Sequence, residues 1–89
     1  MRRDMMTRAY VLINSKSTET DKHAEKFKKI GGVINAYAVY GNHDIILEVE
    51  AKNLRKLRDK IIEIRELEDT GETKTLIEME KEDESTEVD

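Results

Sequence analysis

Val33-Ile34-Asn35-Ala36-Tyr37-Ala38-Val39-Tyr40-Gly41-Asn42-His43-Asp44-Ile45-Ile46-Leu47-Glu48-Val49-Glu50-Ala51 holds two strand-like runs, Val33 to Tyr40 and His43 to Ala51, separated by a Gly-Asn pair. A two-residue link with glycine first suits a tight hairpin, because glycine takes the positive φ of such turns without a steric penalty. With that link, Tyr40 faces His43, Val39 faces Asp44, and pairing continues outward in register. Alternation then puts Ile34, Ala36, Ala38, Tyr40, His43, Ile45, Leu47 and Val49 on one face and Val33, Asn35, Tyr37, Val39, Asp44, Ile46, Glu48 and Glu50 on the other. The first face, nearly all apolar with two alanines, suits covering helices. The second is mixed, and its Tyr37, Val39 and Ile46 predict an interface between two copies stacked sheet to sheet.

Upstream, Ala9-Tyr10-Val11-Leu12-Ile13-Asn14 is short, aromatic and β-branched, and it reads as an inner strand. A helix follows, capped by Thr18 or Thr20, with Asp21 at its positive end and Ala24, Phe27 and Ile30 spaced for one apolar face. Gly31-Gly32 ends it. Downstream, Asn53 is placed to cap a second helix with the stripe Leu54, Leu57, Ile61 and Ile64, and Arg55 and Asp59 can pair on its exposed side. A polar link from Glu66 to Glu72 leads to a last strand, Thr73 to Met79, on which Thr73, Thr75, Ile77 and Met79 share a face. The order strand, helix, strand, strand, helix, strand predicts an α+β, ferredoxin-like βαββαβ fold, a four-stranded antiparallel sheet with both helices on one face. That arrangement hosts many functions, so function rests on sites.

At 89 residues there is room for one modest core, and with no Cys no disulfide can reinforce it, so self-association is expected to contribute stability. No apolar run approaches the roughly 20 residues of a membrane span, and the first seven residues lack a signal-peptide apolar stretch, which predicts a cytoplasmic protein without membrane contact. The 40% of charged residues, rich in Lys and Glu, with no Pro or Trp, resemble a thermophile's composition. A net charge of −4 argues against direct nucleic-acid binding, which depends on Lys and Arg neutralising phosphates. The cluster Arg55, Lys56, Arg58 and Lys60 is interrupted by Asp59 and Glu63 and reads as a solvated helix face. Carboxylates of Asp44, Glu48 and Glu50 on the mixed sheet face would repel RNA.

No catalytic constellation is present: there is no Cys-His pair, no His-Glu-x-x-His motif, and no phosphate-binding glycine pattern. No cofactor is implied, and no metal site, since one His beside one carboxylate offers too few ligands. Ser15 and Ser17 are explained by helix capping, and His23, between Lys22 and Glu25, reads as a solvated surface residue. His43 and Asp44 follow the turn, where a rigid hairpin can present polar groups to a ligand. A purely structural reading has Asp44 capping turn amides and His43 pairing with Tyr40.

With these residues placed, the chain resembles the effector-binding (RAM) domain of the Lrp/AsnC, or feast/famine, transcription regulators. The resemblance covers about Arg8 to Glu80 and rests on Ala9 to Ile13, on Val33 to Val49 and on Thr73-Lys74-Thr75. Its specific part is the family's Val-x-Gly-x-(Tyr/Phe)-Asp turn, kept here as Val39, Gly41 and Asp44, with His43 in place of the aromatic. The link Leu67-Glu68-Asp69-Thr70-Gly71 also departs from the family's common Pro-Gly-Val. The resemblance divides the chain into an N-terminal extension at 1–7, an effector-binding domain at 8–80 and an acidic tail at 81–89, read as disordered. About eight residues precede the first strand, so the expectation is a stand-alone domain without the family's helix-turn-helix unit, a type found mainly in archaea and other prokaryotes.

Family domains dimerise through their sheets, dimers assemble into octameric rings (tetramers of dimers), and amino acids bind between dimers near the turn. Carried over, this implicates Gly41, Asn42, His43 and Asp44, with Thr73 and Thr75 as polar partners. Turn amides and hydroxyls suit a carboxylate and Asp44 an ammonium group. The expected function is a non-enzymatic amino-acid sensor that acts through homodimers and higher assemblies, including co-assembly with full-length Lrp/AsnC regulators. Two alternatives predict different observations. A small dimeric ferredoxin-like barrel enzyme, of monooxygenase or isomerase type with His43 as acid or base, needs a polar cavity between sheet and helices. A ligand-free structural partner subunit assembles normally and responds to no metabolite.

Overall fold

The computed structural model describes residues 6–79, so the acidic tail and most of the N-terminal extension lie outside the described residues. The elements are β1 (Thr7–Ser15), α1 (Thr20–Phe27), β2 (Val33–Ala38), β3 (Ile45–Ala51), α2 (Leu54–Arg65) and β4 (Thr70–Ile77). They form one sheet of order β2-β3-β1-β4, antiparallel at every pairing, with the two helices on one face. This is the ferredoxin-like arrangement that the sequence predicts. No helix among the described residues is long and apolar enough to cross a membrane.

The hairpin register agrees with the Gly41-Asn42 link: Ala38 faces Ile45, Tyr37 faces Ile46, Ala36 faces Leu47 and Asn35 faces Glu48. Val39 N–H donates to the Asp44 carbonyl at 2.8 Å, extending the pairing one step beyond the strands. The ladder itself stops at Ala38 and Ile45, so the predicted strands are too long at this end. Gly41 has φ +137° with open space around it, so conformation rather than room requires glycine there. Tyr40 is fully exposed and has left the helix-covered face.

A second departure sits at the other end of β2. The register shifts between Val33 and Asn35, and Val33 instead of Ile34 lies opposite Val49. One bulged residue inverts the alternation beyond it, so Val33 packs against the core while Ile34 is 44% exposed, the reverse of the expected assignment.

Between sheet and helices the core is apolar. Ala9, Val11 and Ile13 of β1 and Ile45, Leu47 and Val49 of β3 meet Ala24 and Phe27 of α1 and Leu57, Ile61 and Ile64 of α2. In α2, Asn53 caps as predicted, its side chain accepting from Lys56 N–H at 2.9 Å, but Leu54 is 57% exposed and belongs to no stripe. Helix α1 is shorter than its apolar spacing suggests. Its last turn tightens into Lys28 N–H to Glu25 and Ile30 N–H to Phe27 bonds, yet Ile30 still packs on the core. Neither Thr18 nor Thr20 caps α1. The N-cap position is Glu19, without a side-chain capping bond, and Ser17 Oγ accepts from Glu19 N–H at 2.9 Å.

Strand β4 begins three residues earlier than predicted. Gly71 makes this start feasible, because a Cβ there would stand 2.6 Å from the Asn14 carbonyl oxygen of β1. Met79 lies beyond the end of the strand and is exposed.

Candidate functional site

The chain direction of each element gathers one set of loops at one end of the sheet. There β1 ends, α1 begins, β2 turns into β3, and α2 hands over to β4. At this end an open groove of about 530 Å³ runs between the start of α1 and the hairpin turn. Thr18, Glu19, Thr20, Asp21 and Lys22 form one wall, and Ala38, Val39, Tyr40 and Asp44 form the other.

Asp44 is the predicted site residue that the groove takes. Strict alternation would put it on the open face, but its Oδ2 accepts from Ser15 N–H at 2.9 Å and its own N–H donates to the Ile13 carbonyl at 2.9 Å. These two bonds clamp the turn to the end of β1. Gly41 and Asn42 are exposed at the tip, next to the groove in sequence but outside its lining. His43 is half-buried and does not pair with Tyr40. Its Nδ1 lies 3.0 Å from Asn14 Oδ1, where a carbonyl-type oxygen accepts the ring proton. Thr73 and Thr75 stand apart from this group: they pair with Ile13 and Val11 on the helix side of β4, and β1 separates them from β3. Two strand spacings put them about 10 Å from β3.

The wall from α1 escaped the sequence reading because its residues carry no motif. Topology alone could have found it, since a β1-α1-β2 unit returns the start of α1 to the end where β2 stops. Three carboxylates, Glu19, Asp21 and Asp44, face one ammonium, Lys22, whose Nζ is already 3.6 Å from Glu19 Oε1. The groove therefore favours a group that brings positive charge.

His23 is the largest correction to the sequence reading. Flanking charges suggest exposure, but the ring is 2% exposed, tilted against Phe27 at 4.9 Å between centroids. Its Nε2 lies 3.1 Å from the Glu68 carbonyl and its Nδ1 2.6 Å from Ser15 Oγ. A carbonyl can only accept, so Nε2 carries a proton, and in the neutral ring Ser15 donates its hydroxyl to Nδ1. Despite its short distance this Ser-His pair is not placed for catalysis, because neither residue lines the groove and Ser15 Oγ already accepts from Ser17 N–H at 3.1 Å. Among the described residues no three His, Cys, Asp or Glu side chains come together to hold a metal ion.

The open face of the sheet has its own pattern. Arg8 Nη2 and Nε bond Glu50 Oε2 at 2.5 and 3.1 Å, Arg8 Nη1 lies 3.8 Å from Glu48, and Asn35 Nδ2 donates to Glu48 at 2.5 Å. The Glu50 bond, with a smaller contribution from Tyr10, holds the Arg8 guanidinium more firmly protonated than usual. Beside this polar row lie Tyr37, Ile46, Leu12, Tyr10 and Leu76, half-buried or exposed and adjacent across the strands.

Known proteins share this fold. The chain matches the family model described as the Lrp/AsnC ligand binding domain over residues 8–88. A curated relative, the uncharacterized HTH-type transcriptional regulator PF0250 of Pyrococcus furiosus, is 39% identical over 75 residues, which are 80% of this chain and 50% of the relative. The chain thus spans about half the length of that regulator. The crystal structure of hypothetical protein PHS023 from Pyrococcus horikoshii superposes with a TM-score of 0.76 at 31% identity, covering 82% of this chain and 89% of that one. The regulator NMB0573 of Neisseria meningitidis, solved as a complex with L-Met, gives a TM-score of 0.72 at 11% identity over 85% of this chain and 51% of its own, a likeness of fold alone. By its family match and its identity to these archaeal relatives, the chain belongs to the Lrp/AsnC ligand-binding domain family.

Proposed function

We propose that this chain is a non-enzymatic sensor domain of the cytoplasm that binds an amino acid, or a close metabolite, at the groove between the hairpin turn and α1. The observation that carries this reading is the placement of Asp44, the acidic residue of the family turn, in the groove wall opposite the first turn of α1. An α-ammonium group would pair with Asp44, and the excess of carboxylates disfavours ligands with an acidic side chain. The family's ligand-binding character and the L-Met complex of the Neisseria regulator support an amino acid as the ligand class.

Output passes through assembly. The open sheet face, with Tyr37 and Ile46 beside Tyr10, Leu12 and Leu76, seats a second copy, and Val39, just past the end of β2 and in the groove wall, completes the patch. Dimers of the 8–80 unit then build octamers or join full-length family regulators, so that ligand binding shifts the population of assembled states without DNA contact by this chain. Gly41, Asn42 and His43 shape the turn in this reading, while Thr73 and Thr75 meet the ligand only if a neighbouring copy brings it to them.

The test is a thermal-shift and calorimetric screen of the twenty common amino acids on the wild type and Asp44→Ala. The expected outcome is a raised melting temperature with one or a few ligands, none of them Asp or Glu, and its loss in the variant. Silence from all twenty in both proteins would overturn the sensor reading in favour of a ligand-free partner subunit.

A further inference from the structure

The hydrogen bonds around His23 reach the groove wall in two sets, joined through the covalent frame of Ser15. Glu68 O accepts from His23 Nε2, His23 Nδ1 accepts from the Ser15 hydroxyl, and the Ser15 main-chain N–H donates to Asp44 Oδ2. Four segments distant in sequence meet along them: the α2–β4 link, α1, the end of β1 and the hairpin turn. We propose that His23 is a positioning residue for the groove: through Ser15 it fixes where the Asp44 carboxylate sits, and through Glu68 it ties that position to the link between α2 and β4. The inference deepens the sensor reading, because it assigns the residue that sets the groove's anionic partner.

Three features support a specific role over general packing. His23 is the one residue both buried as a whole and polar or charged among the described residues, where Leu or Phe would fill an apolar core without needing partners. Both ring nitrogens are engaged, which fixes the ring plane as well as its tautomer. The Glu68 end is also not needed to hold the α2–β4 link, since Lys16 N–H donates to the Asp69 carbonyl at 2.8 Å and Leu67 packs on the core. His23 thus adds orientation where attachment already exists.

Side-chain isosteres separate the two ring contacts. His23→Phe keeps the ring against Phe27 and removes both bonds. His23→Asn puts an amide near the Nδ1 position and keeps only the Ser15 contact. Amide hydrogen exchange, read residue by residue on the ligand-free protein and normalised to the change at Val11 in mid-strand, reports the outcome. We expect the Ser15 and Asp44 amides to exchange about tenfold faster in His23→Phe, consistent with weakened bonds to a charged carboxylate and across the strand end. His23→Asn should restore them. Ser15→Ala, which leaves the main-chain N–H in place, should reproduce the His23→Phe pattern and serves if that variant does not fold. Ring ¹⁵N shifts of the wild type should show Nε2 protonated. Uniform acceleration of all amides, or Ser15 and Asp44 amides unchanged in both variants, would reduce His23 to a packing residue and overturn the proposal. Because no ligand enters the measurement, a failed amino-acid screen would sink the sensor reading and leave this result standing, and the reverse also holds.

Discussion

The two faces of the sheet are made from alternate residues of the same four strands, yet they follow different rules. On the helix side, Ala9, Val11, Ile13, Ile45, Leu47 and Val49 are buried and wholly apolar. On the open side, the next residues along the same strands include Arg8, Glu48 and Glu50, where one guanidinium bridges two carboxylates in a row beside Tyr37, Ile46 and Leu12. A face that must be dry in the monomer excludes charge, because an unpaired buried ion costs several kcal/mol. A face left open to solvent in the monomer tolerates charge if it is paired. The contrast separates stability, which resides on one side, from assembly, which we assign to the other.

The sharpest way to break that division is a pair of substitutions at adjacent residues. Leu47→Ala should lower unfolding free energy by about 2–5 kcal/mol in a denaturant titration, a large share of the stability of a small domain. Ile46→Ala should cost the isolated monomer much less, and equal losses would end the distinction. Next in size is association itself. Tyr37→Ala combined with Ile46→Ala should weaken self-association by roughly 10- to 100-fold in sedimentation equilibrium, as expected when interface anchors are truncated. A dimer unaffected by the double substitution would place the contact elsewhere. Smallest is the polar row. Arg8→Met should change monomer stability by less than about 1 kcal/mol, since Arg8 and its carboxylate partners remain partly solvated. Its effect on self-association should shrink as salt rises.

Much of this contrast is legible in the chain. Alternation across Gly41-Asn42 predicts the pairing of residues 35–38 with 45–48, and that pairing is observed. Asn53 announces the start of α2 because an Asx side chain accepts locally, within three residues. The readings that fail are those that depend on distant contacts. His23 looks solvated by its neighbours in sequence, but Ser15 and Glu68, eight and 45 residues away, give its ring two partners and so permit burial. Ile34 and Val33 exchange faces because a bulge, invisible to a period-two pattern, inserts one residue. Of the residues that line the groove, Asp44 stands out in the sequence as a candidate and Thr18 to Lys22 do not, because their part in the groove comes from chain direction and not from residue type.

By itself, then, the sequence determined the element order, the hairpin register from the turn back to Asn35 and most of the apolar face, because each follows from local conformational preference and from periodicity along the chain. Tertiary structure alone decided that Asp44 turns into a groove, that His23 is buried and bonded at both nitrogens, and that Thr73 and Thr75 stand two strands away from the turn. Those outcomes depend on which segments meet at one end of the sheet. Hydrogen-bond partners separated by tens of residues leave no periodic trace in the sequence, so their pairing appears only when the chain has folded.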